Sequence, residues 1–169
     1  MPQSRQKKTA GREPLSGSKL RERAFDLLSR RDHSEWELRR KLLEKGAVAE
    51  ELPPLLKELR SFNYLNDERF AGNFVRYRAS KAWGKLRFRQ ELLQRGVSAD
   101  VIEDVLREAP ELQSDELYSK LRGIVEKELR RGKEEKKIIA SLLRKGFAVG
   151  QIRQALQQVV SEDVLDRLE

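Results

Sequence analysis

The chain of 169 residues has no cysteine, one histidine, one methionine and only 7% aromatic residues. Without cysteine there is no disulfide framework, no thiolate zinc site and no thiol nucleophile, and such a composition fits a reducing compartment. His33 has no second histidine with which to share a metal. Asp32, His33 and Ser34 are consecutive, whereas a catalytic triad is assembled in space from separate segments; His33 is therefore read as a turn residue. No uncharged apolar run approaches the ~18 residues of a membrane span. The opening MPQSRQKKTAGREP is basic but has no apolar centre, so it is not a secretory signal. Gly17-Ser18-Lys19 lacks the order of a phosphate-binding loop. No catalytic constellation is present, so the expectation is a cytoplasmic non-enzyme with no cofactor, metal or membrane partner.

Charge and repetition are what the sequence does have. Charged residues make up 38% of the chain and apolar residues also 38%, with a net charge of +8. So little apolar material predicts small local cores in an elongated molecule rather than one large globule. LLEKG (Leu42–Gly46), LLQRG (Leu92–Gly96) and LLRKG (Leu142–Gly146) recur at a spacing of 50 residues. Apolar positions align with them at Leu38/Phe88/Ile138, Leu52/Ile102/Ile152 and Leu56/Leu106/Leu156, and upstream at Ala24/Phe74/Ile124 and Phe25/Val75/Val125. The chain thus reads as a basic N-terminal arm over 1–18 and three copies of one unit, at 19–65, 66–110 and 111–169.

Each copy is predicted to be three helices, near 19–31, 35–45 and 51–61 in the first, 67–82, 85–95 and 99–108 in the second, and 114–131, 134–145 and 149–160 in the third. The fold class is all-α: three tandem three-helix repeats stacked into a curved molecule, each burying its apolar stripe against a neighbour. Ser34-Glu35-Trp36-Glu37 reads as a capping box, and Ser98 and Ser114 stand where N-caps are expected. Gly46, Gly96 and Gly146 stand just past a helix, where positive φ suits glycine. Pro53-Pro54 fits only the first turn of its helix.

The middle copy is where charge segregates. From Arg69 to Gln90 there are seven cations and no acid, with Tyr77, Trp83 and Phe88 interleaved. Such a stretch attracts a polyanion, either a nucleic-acid backbone or an acidic protein surface. Arg76, Lys81, Lys85 and Arg89 have no acid four residues away on their own stretch, which marks them as contacts. Arg87 is shared between an ion-pair ladder with Glu91 and Arg95 and the binding surface. Arg39 occupies the position of Arg89 in the first copy. Lys85 at a helix start opposes the helix dipole, which favours an anionic partner, and the helix N-terminus there offers free amides. The candidate partner or nucleic-acid contacts are therefore Arg39, Arg76, Lys81, Lys85, Arg87 and Arg89.

Three segments in order resemble a known family. RRDHSEWELRRKLLEKG (Arg30–Gly46), YLNDERFA (Tyr64–Ala71) and the set Gly84, Arg87, Phe88, Glu91, Leu92, Arg95 and Gly96 are similar to signatures of the bacterial RecX proteins, regulators of the RecA recombinase. Phe88 stands where an aliphatic residue is more usual, and the third copy is the loosest match. The resemblance covers roughly residues 20–160. It implies an all-helical, non-enzymatic regulator of homologous recombination and the SOS response. Such a protein binds RecA and its filament on single-stranded DNA and modulates, mostly inhibits, ATP hydrolysis, strand exchange and co-protease activity. A monomer is expected, with DNA possible as a direct ligand of the basic face. The alternative from the residues alone is a stand-alone, sequence-nonspecific DNA-binding helical protein.

Overall fold

The computed structural model describes residues 14–112 and 115–165. The basic arm up to Glu13 and the expected cap Ser114 lie outside them. Among the described residues there are nine α-helices in three consecutive triplets and one isolated β-bridge. The helices are α1 (Gly17–Arg30), α2 (Glu35–Glu44), α3 (Leu52–Ser61), α4 (Asp67–Arg78), α5 (Lys85–Leu93), α6 (Ala99–Glu108), α7 (Asp115–Arg130), α8 (Glu135–Arg144) and α9 (Val149–Leu165). The chain divides into two compact units, Met1–Asn66 and Asp67–Glu169. The first triplet has its own core, whereas the second and third triplets share one continuous core.

Local chemistry accounts for the helix limits. The Ser34 hydroxyl accepts a 3.1 Å bond from the Glu37 amide and starts α2. Ser98 does the same more loosely for α6, at 3.5 Å from the Val101 amide. Gly46, Gly96 and Gly146 all have positive φ, between 74° and 88°. Pro53 and Pro54 sit in the first turn of α3, and a 3₁₀ turn at Ala49–Glu51 fills the residues where the other triplets are already α-helical. Proline without an amide hydrogen is harmless only in that first turn.

Two boundaries differ from expectation. Helix α4 ends at Arg78, followed by a 3₁₀ turn at Ala79–Lys81 and Ala82 at φ 47°; Lys81 is therefore in the turn, not on the helix. Leu15 and Gly17, assigned to the arm by composition, are tied into the first unit. Leu15 forms a parallel bridge with Ala47 through the Leu15 amide to Gly46 O and the Val48 amide to Leu15 O. The Gly17 amide donates to Glu51 Oε2 at 2.6 Å. Two backbone bonds need no apolar periodicity, so the hydrophobic pattern could not show this docking.

The repeat is strict in the second and third helices of each triplet. Leu38, Phe88 and Ile138 are each at most 1% exposed, as are Leu42, Leu92 and Leu142, and Leu52, Ile102 and Ile152. The first helices follow a different register. The buried residues are Leu20, Ala24 and Leu27 in α1, Phe70, Ala71 and Val75 in α4, and Leu117, Leu121 and Val125 in α7. Ala24 thus corresponds to Val75, not to Phe74.

His33 and Ser34 in the short α1–α2 connection are 3% and 0% exposed. His33 Nε2 lies 3.0 Å from the Lys41 ammonium, which can only donate, so Nε2 accepts and Nδ1–H donates to the Arg31 carbonyl at 3.0 Å. The imidazole is held neutral: burial first, then the charge of Arg31, push its pKa below the ordinary 6.5, against the opposing bond to the Arg31 carbonyl. The unfolded chain then binds a proton that the folded one resists. This contribution to stability is complete above pH ~6.5 and is lost as pH falls below that toward the lowered folded value. Thermal unfolding of the first unit should show a midpoint that declines from pH 7.5 to 5.5, and His33→Gln should flatten that decline. An equal slope in wild type and variant would remove His33 as the cause.

Candidate basic interaction surface

The surface begins with an aromatic cluster at the α4–α5 junction. Phe74 and Trp83 pack edge-on against the buried Phe88, with ring centroids at 6.3 and 5.6 Å, and Phe70 stacks on Phe74. Trp83 and Phe74 are only part-buried, and cations cover the faces they leave open. Arg78, Lys81 and Arg87 lie 5.3–5.9 Å from the Trp83 ring centroid. Arg78 and Arg95 lie over Phe74 at 5.3 and 4.6 Å. The negative ring faces hold like charges close together, each contact contributing about 0.5–1 kcal/mol. One carboxylate serves the group: Glu91 bonds Arg87 at 2.5 Å and Arg95 at 2.8 Å. Arg78 and Lys81 over the rings add positive charge beside this ladder, which the protein's own packing maintains.

The candidate contacts from the sequence divide into three kinds. Lys81 and Lys85 are exposed and make no ion pair among the described residues. Arg87 is both ladder and surface, with 39% of its side chain exposed. Arg76 and Arg89, without acids on their own helices, find them on neighbours: Arg76 Nε is 3.7 Å from Glu111, and Arg89 is 2.9 Å from Glu103 on α6. A search for acids at i±4 cannot reveal pairs between helices. Arg39 is exposed on α2 in the first unit, whereas the other five candidates belong to the second.

The α5 N-terminus is not the anion site that the sequence suggests. The Gly84 amide donates to Lys145 O at 2.9 Å and the Leu86 amide to Gly146 O at 3.2 Å, while the Arg87 and Phe88 amides bond Gly84 O. The C-terminal carbonyls of α8 therefore occupy the start of α5. Those carbonyls carry the negative end of the α8 dipole, which suits a cation at position 85. Lys85 has a structural explanation without any ligand, and its value as a contact rests on its exposure alone.

Arg78, Arg95 and Trp83 also face this cluster, although the sequence reading names them only within the basic stretch and the ladder and not among the candidate contacts. For Arg78 the available signal was local: Phe74–Arg78 is an aromatic–arginine pair four residues apart on α4, the spacing that places one side chain over the other on a helix, whereas Trp83 precedes the start of α5 and Arg95 follows its end. Among the described residues there is no cluster of acidic or histidine side chains able to hold a metal, and no helix long and apolar enough to cross a membrane.

Known proteins share the tandem three-helix fold. The family pattern described as the RecX first three-helix domain matches residues 21–52, and that of the RecX second three-helix domain matches 66–106. The regulatory protein RecX of Vibrio vulnificus is 37% identical over 137 residues, covering 79% of this chain and 88% of its own length. The chain belongs to the RecX family of regulatory proteins. The RecX of Pseudomonas putida is 42% identical over 90 residues, 53% of this chain and 63% of its own. A crystal structure of a regulatory protein RecX superposes with a TM-score of 0.70 at 30% identity, covering 81% of this chain and 71% of the other. That of RecX from Lactobacillus salivarius superposes with 0.73 at 25% identity, covering 84% and 95%. The RecX fold of tandem three-helix domains is therefore the fold of this chain, which is a regulator and not an enzyme. The stretch matched by the second RecX domain pattern contains the whole aromatic–cation cluster, from Phe70 to Arg95.

Proposed function

We propose that this chain regulates homologous recombination and the SOS response by binding the RecA recombinase and its filament on single-stranded DNA. It lowers the filament's ATPase, strand-exchange and co-protease activities from the cytoplasm, as a monomer and without chemistry of its own. The observation that carries this reading is the cation group around Trp83 and Phe74, together with the exposed Lys81, Lys85, Arg87 and Arg89. It gives a RecX regulator a positive face on which Lys81 and Lys85 make no ion pair among the described residues, while Arg87 and Arg89 are paired but part-exposed. Repeated three-helix units suit a filament, because several weak contacts on one chain act together.

The deciding experiment is a titration of the DNA-dependent ATPase of RecA with this protein. Inhibition that saturates is expected; an unchanged rate at saturating protein sinks the reading. A second reading, sequence-nonspecific DNA binding without RecA, has one specific observation in its favour. Tyr77 is 82% exposed between Arg76 and Arg78, and an exposed ring flanked by cations can stack on an unpaired base. Electrophoretic mobility of a DNA oligonucleotide with RecA absent separates the two. Tight binding at physiological salt, with RecA ATPase untouched, favours the second.

A further inference from the structure

A groove runs between α5 and α6 beside the aromatic–cation cluster. It is lined by Lys85, Leu86 and Arg89 from α5 and by Glu103, Leu106 and Arg107 from α6. Its chemistry differs from that of the cluster next to it. Leu86, although in the first turn of a helix, is 54% exposed and lies in the groove over the buried Leu106. Cations stand on both sides. The one acid is Glu103, whose carboxylate holds Arg89 at 2.9 Å, with both side chains about half exposed, at 49% and 46%. Arg107 leans along its own helix to Asp104 at 2.9 Å.

We propose that this groove docks an acidic, leucine-bearing segment of the protein partner, and that Glu103 occupies the place of the partner's carboxylate until docking. The inference rests on the protein-partner reading above and names the chemistry of the partner's segment. Charge complementarity and the leucine floor together decide the occupant. A partner carboxylate reaches Lys85 and Arg89 at the rim while its apolar neighbour covers Leu86, so both components of the groove are used. A nucleic-acid backbone uses only the cations; no aromatic ring lines the groove to stack a base, and leucine offers a phosphate nothing. Glu103 is then a competitor built into the site. Arg89 is already partnered in the free protein, and docking exchanges one carboxylate for another. Removing Glu103 should therefore strengthen binding, whereas a merely structural ion pair would leave binding unchanged or weaken it.

The test uses the full chain and three probes: a fluorescein-labelled peptide of Glu and Asp with leucines spaced four apart, the same peptide with alanine for leucine, and a labelled thymidine oligonucleotide. Wild type should bind the leucine peptide better than the alanine peptide. Glu103→Gln should bind the leucine peptide about twofold to fivefold more tightly, the range for an exposed ion pair. Leu86→Ser should lower leucine-peptide affinity to that of the alanine peptide and leave oligonucleotide binding as it was. Both positions are exposed, and circular dichroism checks that the variants are folded. RecA ATPase inhibition by Glu103→Gln should reach half-maximum at a correspondingly lower protein concentration. No saturable binding of the leucine peptide, an unchanged or weaker Glu103→Gln affinity, or a Leu86→Ser effect confined to the oligonucleotide overturns the proposal. If wild type leaves RecA untouched, the reading above fails, and the peptide arm still decides what the groove takes.

Discussion

Replacing Gly146 with alanine is expected to destabilise the second unit by roughly 2–5 kcal/mol. Two costs add. Gly146 has φ 83°, a conformation that costs any L-residue about 1–2 kcal/mol. A Cβ there would also stand closer than 3.0 Å to the Arg87 backbone amide. Backbone cannot swing aside as a flexible side chain can, so α5 and the α8–α9 turn must separate, at the roughly 1–3 kcal/mol of an overpacked core. Gly84→Ala tests the same contact from the other side. Gly84 has an ordinary φ of −78°, yet its Cβ would meet the Gly146 carbonyl and the Phe147 amide, so the steric cost stands alone. Gly150→Ala is the control: nothing lies within 4 Å of its Cβ position, and the change should be neutral or stabilising by up to about 1 kcal/mol. The thermal midpoint of the second unit should drop by about 10 °C or more for Gly146→Ala. A midpoint like that of Gly150→Ala would mean that the two backbones are not in contact. Because the Gly146 and Lys145 carbonyls hold the start of α5, the same change should loosen the helix that carries Lys85, Arg87 and Arg89.

The other large effect expected is on binding. Lys81→Glu/Lys85→Glu/Arg89→Glu should keep wild-type helicity and lose most inhibition of the RecA filament. Lys81 and Lys85 have no ion pair to lose, and Arg89 gives up only its exposed bond to Glu103. Exposed charge contacts contribute about 1 kcal/mol each at most, so three lost together can raise the half-inhibitory concentration by roughly two orders of magnitude. The matched control is Lys127→Glu/Arg130→Glu/Lys137→Glu. There Arg130 pairs with Glu126 at 2.5 Å and Lys137 with Glu134 at 3.2 Å, so two of the three cations have an acid beside them on their own stretch. RecA ATPase and filament binding, measured for both triples beside circular dichroism, give the comparison. Undiminished inhibition by a folded first triple would remove this stretch from the binding face.

Spacing along the chain was enough for the repeat, the number of helices and most of their ends. A fifty-residue period in Leu, Ile and Phe specifies three helical triplets, because residues recurring on one face of a 3.6-residue helix must be buried together. Ser34, Pro53 and Gly46 mark helix ends because capping and proline effects act within one turn. The motifs of the first two triplets also carried the family. Only the tertiary structure decided what depends on which helices meet. It joined the second and third triplets through one core, brought Glu103 to Arg89 and Glu111 to Arg76, and placed the Gly146 carbonyl over the start of α5. It also shifted the register of α1 by one residue. The physical reason is common to all of these. Burial of a stripe is nearly indifferent to its partner, since the hydrophobic effect is non-directional. Ion pairs, ring contacts and backbone carbonyl bonds instead require particular atoms within a few ångströms, and those that join one element to another lie far apart in the chain, 14 residues for Arg89 and Glu103 and more than 60 for Gly84 and Lys145.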